Sequence, residues 1–157
     1  MRRNDREVTE LHDIIEIMKR CDVCRLALHD EDYPYILPLN FGMAVNGDKI
    51  TLYFHSALEG YKVGLIQKDN RASFEMDCKH QLQYFADKGY CTMAYESVIG
   101  RGRLRILSDE EKLPALKLLM AHYHNGEDMP FGTAAVSRTL VYALDVESVT
   151  GKRKVPR

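Results

Sequence analysis

The segment YILPLNFGMAVNGDKITLYFHS (residues 35–56) decides the fold class, because it contains two strand patterns joined by a tight turn. The turn is Asn46-Gly47-Asp48, and asparagine and glycine tolerate the positive φ angles that tight hairpin turns require. The apolar residues on both sides predict an antiparallel hairpin. Pro38 lies inside the first strand and has no N–H to donate to a neighbouring strand. It therefore indicates a sheet edge, a bend or a bulge.

Further strands and a few helices flank this hairpin. Residues 9–20 predict a short amphipathic helix capped by Thr9, and residues 110–123 predict a helix with Pro114 in its first turn. Strands are predicted at 24–28, 71–79, 93–107 and 139–151, a helix at 60–70, and a polar connection at 80–90. Because strands dominate and no linker interrupts them, we expect one domain over residues 1–157 with a basic tail at 152–157. The pattern predicts a mainly β fold, a closed or nearly closed antiparallel barrel with a few helices.

Composition narrows the classes of function. The 157 residues include 22 Lys or Arg and 23 Asp or Glu, and the formal net charge of −1 lacks the basic excess of a dedicated DNA-binding domain. The start, MRRNDREVTE, has no apolar signal segment, and no stretch reaches the roughly 18 apolar residues of a membrane span. We therefore expect a cytoplasmic protein that binds neither nucleic acid nor membrane.

The four cysteines predict no metal site. Cys21 and Cys24 form a CxxC motif, but Cys78 and Cys91 do not supply the second pair that a zinc site requires. The motif follows a predicted helix and enters a strand, which is the reverse of the order at thioredoxin-type sites. We interpret both residues as buried or half-buried thiols. Zinc binding or redox chemistry is the alternative interpretation.

The segment YFHSALEGYK (residues 53–62) is the first candidate site. A strand ends at His55-Ser56 and a helix begins near Gly60, where free N–H groups and the positive end of the helix dipole favour a phosphate. Lys62 lies in the first turn, where a cation is locally unfavourable unless an anion is bound there. Ser56 could donate its hydroxyl to the same anion. The alternative is an ordinary strand-to-helix loop with a solvated lysine.

The segment SVIGRGRLRIL (residues 97–107) is the second candidate site. On a strand, Arg101, Arg103 and Arg105 point to one side, and Gly100 and Gly102 point to the other. Such an arginine row could meet nucleic acid or an anionic cofactor, or it could be a solvated face paired with acidic neighbours. Glycines inside a strand indicate the close approach of a ligand or of another backbone.

Residues 24–62 together with SVIGRGRLRIL resemble the Nim (5-nitroimidazole resistance) proteins, which belong to the FMN-binding split-barrel family related to pyridoxamine 5′-phosphate oxidase. The combination of PYILPLNFG and YFHSALEGYK carries the resemblance, which extends over nearly the whole chain. It implies a six-stranded antiparallel split β-barrel. It also implies a homodimer with FMN in clefts between the subunits.

The resemblance further implies a set of cofactor-binding residues: Leu39, Asn40, Phe41, Phe54, His55, Ser56, Lys62, Ser97 and Val98. In this set Lys62 neutralises the FMN phosphate. The oxidase branch has an Arg-Lys pair where this chain has Tyr61-Lys62, so Arg101 or Arg103 is a candidate for the missing cation. This chain has no Trp and lacks the C-terminal segment that grips pyridoxal phosphate in that branch. We therefore do not expect vitamin B6 oxidation.

Two hypotheses of function follow from the resemblance. The first is an FMN-dependent reductase that takes electrons from a reduced donor and passes them to a small electron-poor acceptor such as a nitroaromatic. His55 is its candidate catalytic residue, for proton delivery or substrate contact. The second hypothesis is a flavin- or haem-binding module without efficient turnover, acting as a sensor or carrier. A nucleic-acid-binding barrel that uses the arginine row is a third alternative.

Overall fold

The computed structural model describes residues 4–124 and 130–156. Its strands are β1 (Glu7–Val8), β2 (Cys24–Leu28), β3 (Tyr35–Leu39), β4 (Gly42–Asn46), β5 (Lys49–Ala57), β6 (Arg71–Phe85), β7 (Tyr90–Ile106) and β8 (Thr139–Lys154). Its α-helices are α1 (Leu11–Arg20), α2 (Tyr61–Lys68), α3 (Asp109–Tyr123) and α4 (Thr133–Ser137). None of the helices in these ranges is long and apolar enough to cross a membrane.

The strands form one antiparallel sheet that closes on itself. Its order is β3-β2-β6-β7-β8-β5-β4, and β1 pairs with β8. The two edge strands, β3 and β4, are joined by Asn40 and Phe41 alone. Three Cα–Cα steps of about 3.8 Å span at most about 11 Å, so both edges must lie close together. The sheet is therefore a barrel split between β3 and β4, which confirms the predicted fold class.

The strand count differs from the expected six. The described residues contain eight strands, because the segment from Tyr35 to Asn46 breaks into β3 and β4 and because the two-residue β1 adds to the edge of β8. The break follows Pro38, which lies on edge strand β3 opposite Arg25. An edge strand has one side without a partner, where the missing N–H of proline costs no hydrogen bond. The predicted hairpin is confirmed, with Asn46 opposite Lys49 and Gly47 at φ 59°.

The barrel interior forms the core. Its fully buried members include Leu26, Phe54, Phe74, Val98 and Tyr142. Helix α1 packs on β6 and β7 through four buried side chains, Ile14, Ile15, Ile17 and Met18, as its amphipathic pattern predicts. Each such apolar side chain contributes about 1.5–3 kcal/mol through burial. Helix α3 covers β4 and β5.

Several predicted boundaries are wrong. The expected connection at 80–90 is instead a hairpin in which β6 and β7 continue, and Phe85 stacks on Tyr90 with ring centroids 5.0 Å apart. Its polar residues face solvent, so the sequence lacks a buried strand pattern there. Helix α1 begins at Leu11 and Thr9 is not its cap.

Two further predictions are wrong at the C-terminal half. Because α3 begins at Asp109, Pro114 lies in the second turn of the helix. The first three residues of the predicted basic tail, 152–154, continue β8 and pair with β1 and β7.

Candidate functional site

The end of β5 and the start of α2 form the candidate anion site. His55 and Ser56 lie in the last residues of β5, and α2 begins at Tyr61 after Gly60. Gly60 has φ 144° and ψ 167°, a conformation that is essentially restricted to glycine. No side chain caps the helix, and its hydrogen bonds begin with Val63 donating to the Gly60 carbonyl. The N–H groups of Tyr61 and Lys62 precede that first bond and point out of the helix end.

Lys62 supplies positive charge at this helix end. Its side chain is half-buried, no acidic residue lies in the first turn of α2, and no residue in the described ranges forms an ion pair with it. The pKa of His55 is lowered, first because the surrounding chain partly desolvates its imidazole and second because the Lys62 ammonium repels a charge there. The structure therefore brings His55 and Lys62 together. Ser56 donates its hydroxyl to the Ala57 carbonyl (2.9 Å), so it is not free for an anion in this conformation.

The crossing between β3 and β4 lies beside this site. Gly42 pairs with Tyr53, which places the preceding Asn40 and Phe41 next to the end of β5. Asn40 is exposed and Leu39 is half-buried. The prediction for Phe41 needs correction: its ring is fully buried against His122, and its N–H donates to the Tyr123 hydroxyl at 3.1 Å. Phe41 therefore offers a cofactor neither its ring nor its N–H.

Phe54 and Val98 need the same correction. Both side chains are fully buried in the barrel core, and Phe54 stacks on Tyr142. Strand alternation explains this, since the predicted residues on one strand point to opposite faces. Next to them on the same strands, His55 and Ser97 lie on the outward face with an accessible polar side chain. Phe54 and Val98 could therefore contact a cofactor through their backbone groups but not through their side chains.

The predicted cofactor residues do not form one pocket within a single chain. One row of paired residues crosses the sheet from β3 to β7 and contains Pro38, Arg25, Glu75 and Ile99. The predicted residues next to Pro38 on β3 and next to Ile99 on β7 therefore lie three strands apart. At a strand spacing of about 4.8 Å this is about 14 Å. None of the nine predicted residues lines any of the four best-formed clefts among the described residues.

The arginine row is a paired surface. Arg103 donates to Glu147 at 2.9 Å, and Arg105 bonds both Asp145 and Glu111. Arg101 donates to the Ser148 hydroxyl at 3.0 Å. The interpretation as a solvated, paired face is therefore confirmed for Arg103 and Arg105. Arg101 and Arg103 already bond β8, which leaves the suggested role of either arginine at the phosphate without structural support.

The two glycines of that strand are explained by protein contacts. A Cβ at Gly100 would lie 2.4 Å from the Phe74 ring, and one at Gly102 would lie 2.1 Å from the Asp145 carbonyl oxygen. The sequence analysis gave two reasons for a glycine inside a strand, the close approach of a ligand or of another backbone. The second reason applies to Gly102.

The thiol interpretation is confirmed by burial. Cys21 and Cys24 are both fully buried, and burial raises the pKa of each thiol. Among the described residues no group of three or more His, Cys, Asp and Glu side chains is arranged to hold a metal ion.

An exposed aromatic cluster next to the anion site was missed from the sequence. The Tyr35 and Tyr61 rings meet edge to face at 5.3 Å, and the Tyr61 hydroxyl donates to Asp30 at 2.7 Å. Ile36 is 63% exposed and Leu58 is 48% exposed. The adjacency of aromatic and apolar residues in both quoted motifs was the available signal. An apolar surface of this kind suits contact with a planar ligand or a protein partner.

A buried carboxylate surrounded by cations was also missed. Glu96 accepts hydrogen bonds from Arg20 at 2.7 Å and from Arg153 at 2.8 Å, and Lys79 lies 3.6 Å away. Burial by itself raises the pKa of Glu96, but the arginine hydrogen bonds and the cation charges outweigh it, so the pKa is lowered. These residues are far apart along the chain, so no local pattern could have indicated the cluster.

Comparisons with known proteins point to one family. A family model described as pyridoxamine 5′-phosphate oxidase matches residues 10–153. A crystal structure from Bacteroides thetaiotaomicron, of a protein with a proposed role in 5-nitroimidazole antibiotic resistance, is 30% identical with a TM-score of 0.80, covering 93% of this chain and 85% of that one. The comparison with curated proteins found no match.

Two more distant structures share the fold. The flavocytochrome Anf3 from Azotobacter vinelandii has a TM-score of 0.79 at 15% identity, covering 99% of this chain and 72% of that chain. The FAD and haem binding protein from Mycobacterium smegmatis has a TM-score of 0.79 at 16% identity, covering 96% of this chain and 74% of that chain.

Proposed function

Because the chain belongs to the pyridoxamine 5′-phosphate oxidase family, we propose that it is a flavoprotein that binds FMN and reduces small electron-poor acceptors such as 5-nitroimidazoles. The relatives support this at two levels. The structure with 30% identity comes from a protein with a proposed role in nitroimidazole resistance, and two proteins of the same fold are named for flavin or haem.

The start of α2 is the observation that carries the proposal. The uncapped N–H groups, the glycine-only turn at Gly60 and the Lys62 ammonium, which pairs with no acid among the described residues, together form a positively polarised end to a strand–loop–helix segment. A phosphate monoester fits this helix end. Its oxygens can accept hydrogen bonds from the uncapped N–H groups, and its negative charge can pair with the Lys62 ammonium. The residues present therefore fit the phosphate end of FMN.

The isoalloxazine ring would lie towards Asn40 and His55. Asn40 is exposed at the irregular crossing between β3 and β4, where an amide can hydrogen-bond the polar edge of a flavin. The aromatic cluster of Tyr35 and Tyr61 supplies apolar surface at the start of α2. Bound FMN would supply hydride or electron transfer, and the chain would position it, exclude water and deliver protons.

A homodimer belongs to this proposal. Ser97 lies about three strands from the β3–β4 crossing and outside every cleft described above, so one chain cannot enclose a flavin between the predicted residues. A second copy related by a two-fold axis would supply the missing wall. It would also cover exposed apolar residues such as Ile36 and Leu58.

His55 is the proposed proton-handling residue. Its lowered pKa keeps the imidazole neutral near neutral pH, so one ring nitrogen can donate a hydrogen bond while the other can accept a proton. Its position beside Lys62, at the end of β5, places the imidazole within the region proposed for the cofactor. Proton delivery to a reduced acceptor is the chemistry that this group can supply.

The first experiment measures whether the protein binds FMN and in what oligomeric state. The purified protein should be yellow or become yellow with added FMN, and denaturation should release FMN at about one equivalent per chain. Sedimentation should give a dimer of the 18.1 kDa chain. A colourless protein that does not bind added FMN would overturn the proposal, and a monomer with bound FMN would overturn its interface.

The second experiment separates the reductase from the alternative, a flavin- or haem-binding module without efficient turnover. Steady-state reduction of a 5-nitroimidazole by reduced nicotinamide should exceed the rate with free FMN. In the His55→Ala variant, with FMN still bound, turnover should fall by about 100-fold, in the range typical for a general acid or base. A rate equal to that of free FMN supports the binding module, and full turnover in the variant removes the role of His55.

A further inference from the structure

A cleft of 430 Å³ lies at the other end of the candidate site's barrel, between β6 and the end of β8. Its walls include Lys79, Tyr95, Glu96, Arg153 and Val155. This volume is in the range of small-molecule sites. None of the residues proposed for FMN lines it. The cleft is therefore distinct from the anion site at Lys62, although its Glu96 immediately precedes Ser97 in the chain.

The cleft carries more positive charge than its own carboxylate neutralises. Glu96 is buried and accepts from Arg20 at 3.0 and 2.7 Å through one oxygen and from Arg153 at 2.8 Å through the other. Lys79 lies 3.6 Å from the same carboxylate. Three cations therefore surround this one carboxylate. On its other side, Arg153 also borders a cleft lined by Asp5, Glu7, Glu10 and Asp13. Arg153 uses its Nε on Glu96, and its side chain is 31% exposed towards the cleft opening.

The backbone at Lys79 is a second, independent observation. Lys79 and His80 form a bulge, because Cys78 pairs with Glu96 and the next pair is Gln81 with Ala94. Lys79 has φ 55°, and it is the only non-glycine residue with a positive φ in the described ranges. A lysine in this conformation is strained, and such positions occur preferentially where a side chain is aimed at a ligand. The bulge directs Lys79 to the cleft instead of along the strand.

We propose that the cleft between the Lys79 bulge and Arg153 binds a small phosphate monoester with an apolar body. The Lys79 ammonium suits an anion, and the guanidinium fork of Arg153 suits phosphate oxygens. The opposite wall, Tyr95, Val155 and Pro156, is apolar enough to hold the body of the ligand. Asp77, two residues before Lys79, already pairs with Arg25 and with His80.

The test uses phenyl phosphate as the probe, with isothermal titration calorimetry on the full chain. Lys79→Met removes the charge and keeps the side-chain length. Lys79→Gly also removes the charge, but it relieves the positive φ, so the variant should fold at least as well as the wild type. Both variants should bind phenyl phosphate about tenfold or more weakly than the wild type. Backbone amide shifts should change at Lys79, Tyr95 and Val155.

A matched variant separates this site from the FMN site. Lys62→Met lies in the proposed flavin phosphate site and, in protein saturated with FMN so that this site is occupied, should leave phenyl phosphate binding to the cleft unchanged. Benzyl alcohol, which lacks the phosphate, should not bind. Equal affinity in the wild type and both Lys79 variants would overturn the proposal. Loss of binding in Lys62→Met alone would also overturn it, because the probe would then occupy the flavin site.

Discussion

Gly102→Ala tests why β7 has a glycine at this position. The glycine is needed either for close packing against the neighbouring strand or for space to bind a ligand. A Cβ at this position would lie 2.1 Å from the Asp145 carbonyl oxygen and 3.0 Å from the Val146 Cα. Both contacts are with backbone, at the point where the β7–β8 register shifts, so no side chain can rotate away. The strands must separate by about 1 Å, and overpacking of this kind costs about 1–3 kcal/mol. We expect the upper end of this range.

The assay is thermal and urea unfolding of the protein without added ligand. For a chain of this length a loss of about 3 kcal/mol lowers the melting temperature by about 6–12 °C. Gly64→Ala is the matched control, because nothing lies within 4 Å of its added Cβ and Gly64 is inside helix α2. It should raise stability by about 0.5–1 kcal/mol through helix propensity.

The result that refutes this reasoning is specific. Gly102 also lines the largest cleft described, of 840 Å³. If the glycine were there to admit a ligand, Gly102→Ala would unfold like the wild type and would only change ligand binding. Unfolding at the wild-type temperature would therefore show that the close approach to Asp145 does not constrain this position.

Three further predictions concern charges. Lys62→Met should weaken FMN binding about 10- to 100-fold, which is the effect of losing a charged hydrogen bond. The control is Lys68→Met, because Lys68 lies at the other end of α2 and pairs with Glu31; it should change the Kd for FMN less than about twofold. Equal effects would contradict the phosphate site. Because the folded pKa of His55 is depressed, the unfolded chain takes up its proton first as the pH falls below about 6.5. The free energy of unfolding of the wild type relative to His55→Gln should therefore decrease between about pH 7 and about pH 5, and a constant difference would contradict the depressed pKa. Glu96→Gln should destabilise the fold by about 2 kcal/mol, less than the roughly 3–5 kcal/mol of a fully buried pair because its Arg20 partner is 33% exposed. The exposed-pair control Glu147→Gln should change stability by less than about 0.5 kcal/mol in the same urea titration, and equal losses would refute the special position of Glu96.

The features that the sequence predicted correctly are local ones. The Asn46-Gly47 turn, the edge position of Pro38 and the apolar face of α1 each depend on a few neighbouring residues. Their physical causes are the backbone preferences of glycine and proline and the period of the apolar side chains. The candidate anion site is also a local feature, because one short segment contains the strand end, the glycine and Lys62, and its role stays a prediction.

The tertiary structure decided everything that depends on which strands meet. Sheet register turns Phe54 and Val98 into the core, and it gathers Arg20, Lys79 and Arg153 around Glu96. The same register places the carbonyl oxygen of Asp145, on the neighbouring strand, so close to Gly102 that a Cβ there would collide with it. A one-residue change of register reverses the face of every side chain on a strand, and the sequence pattern of a single strand does not state its register. The sequence by itself therefore determined most of the elements and pointed to the candidate site at the helix start, whereas the structure alone decided which side chains share a cleft.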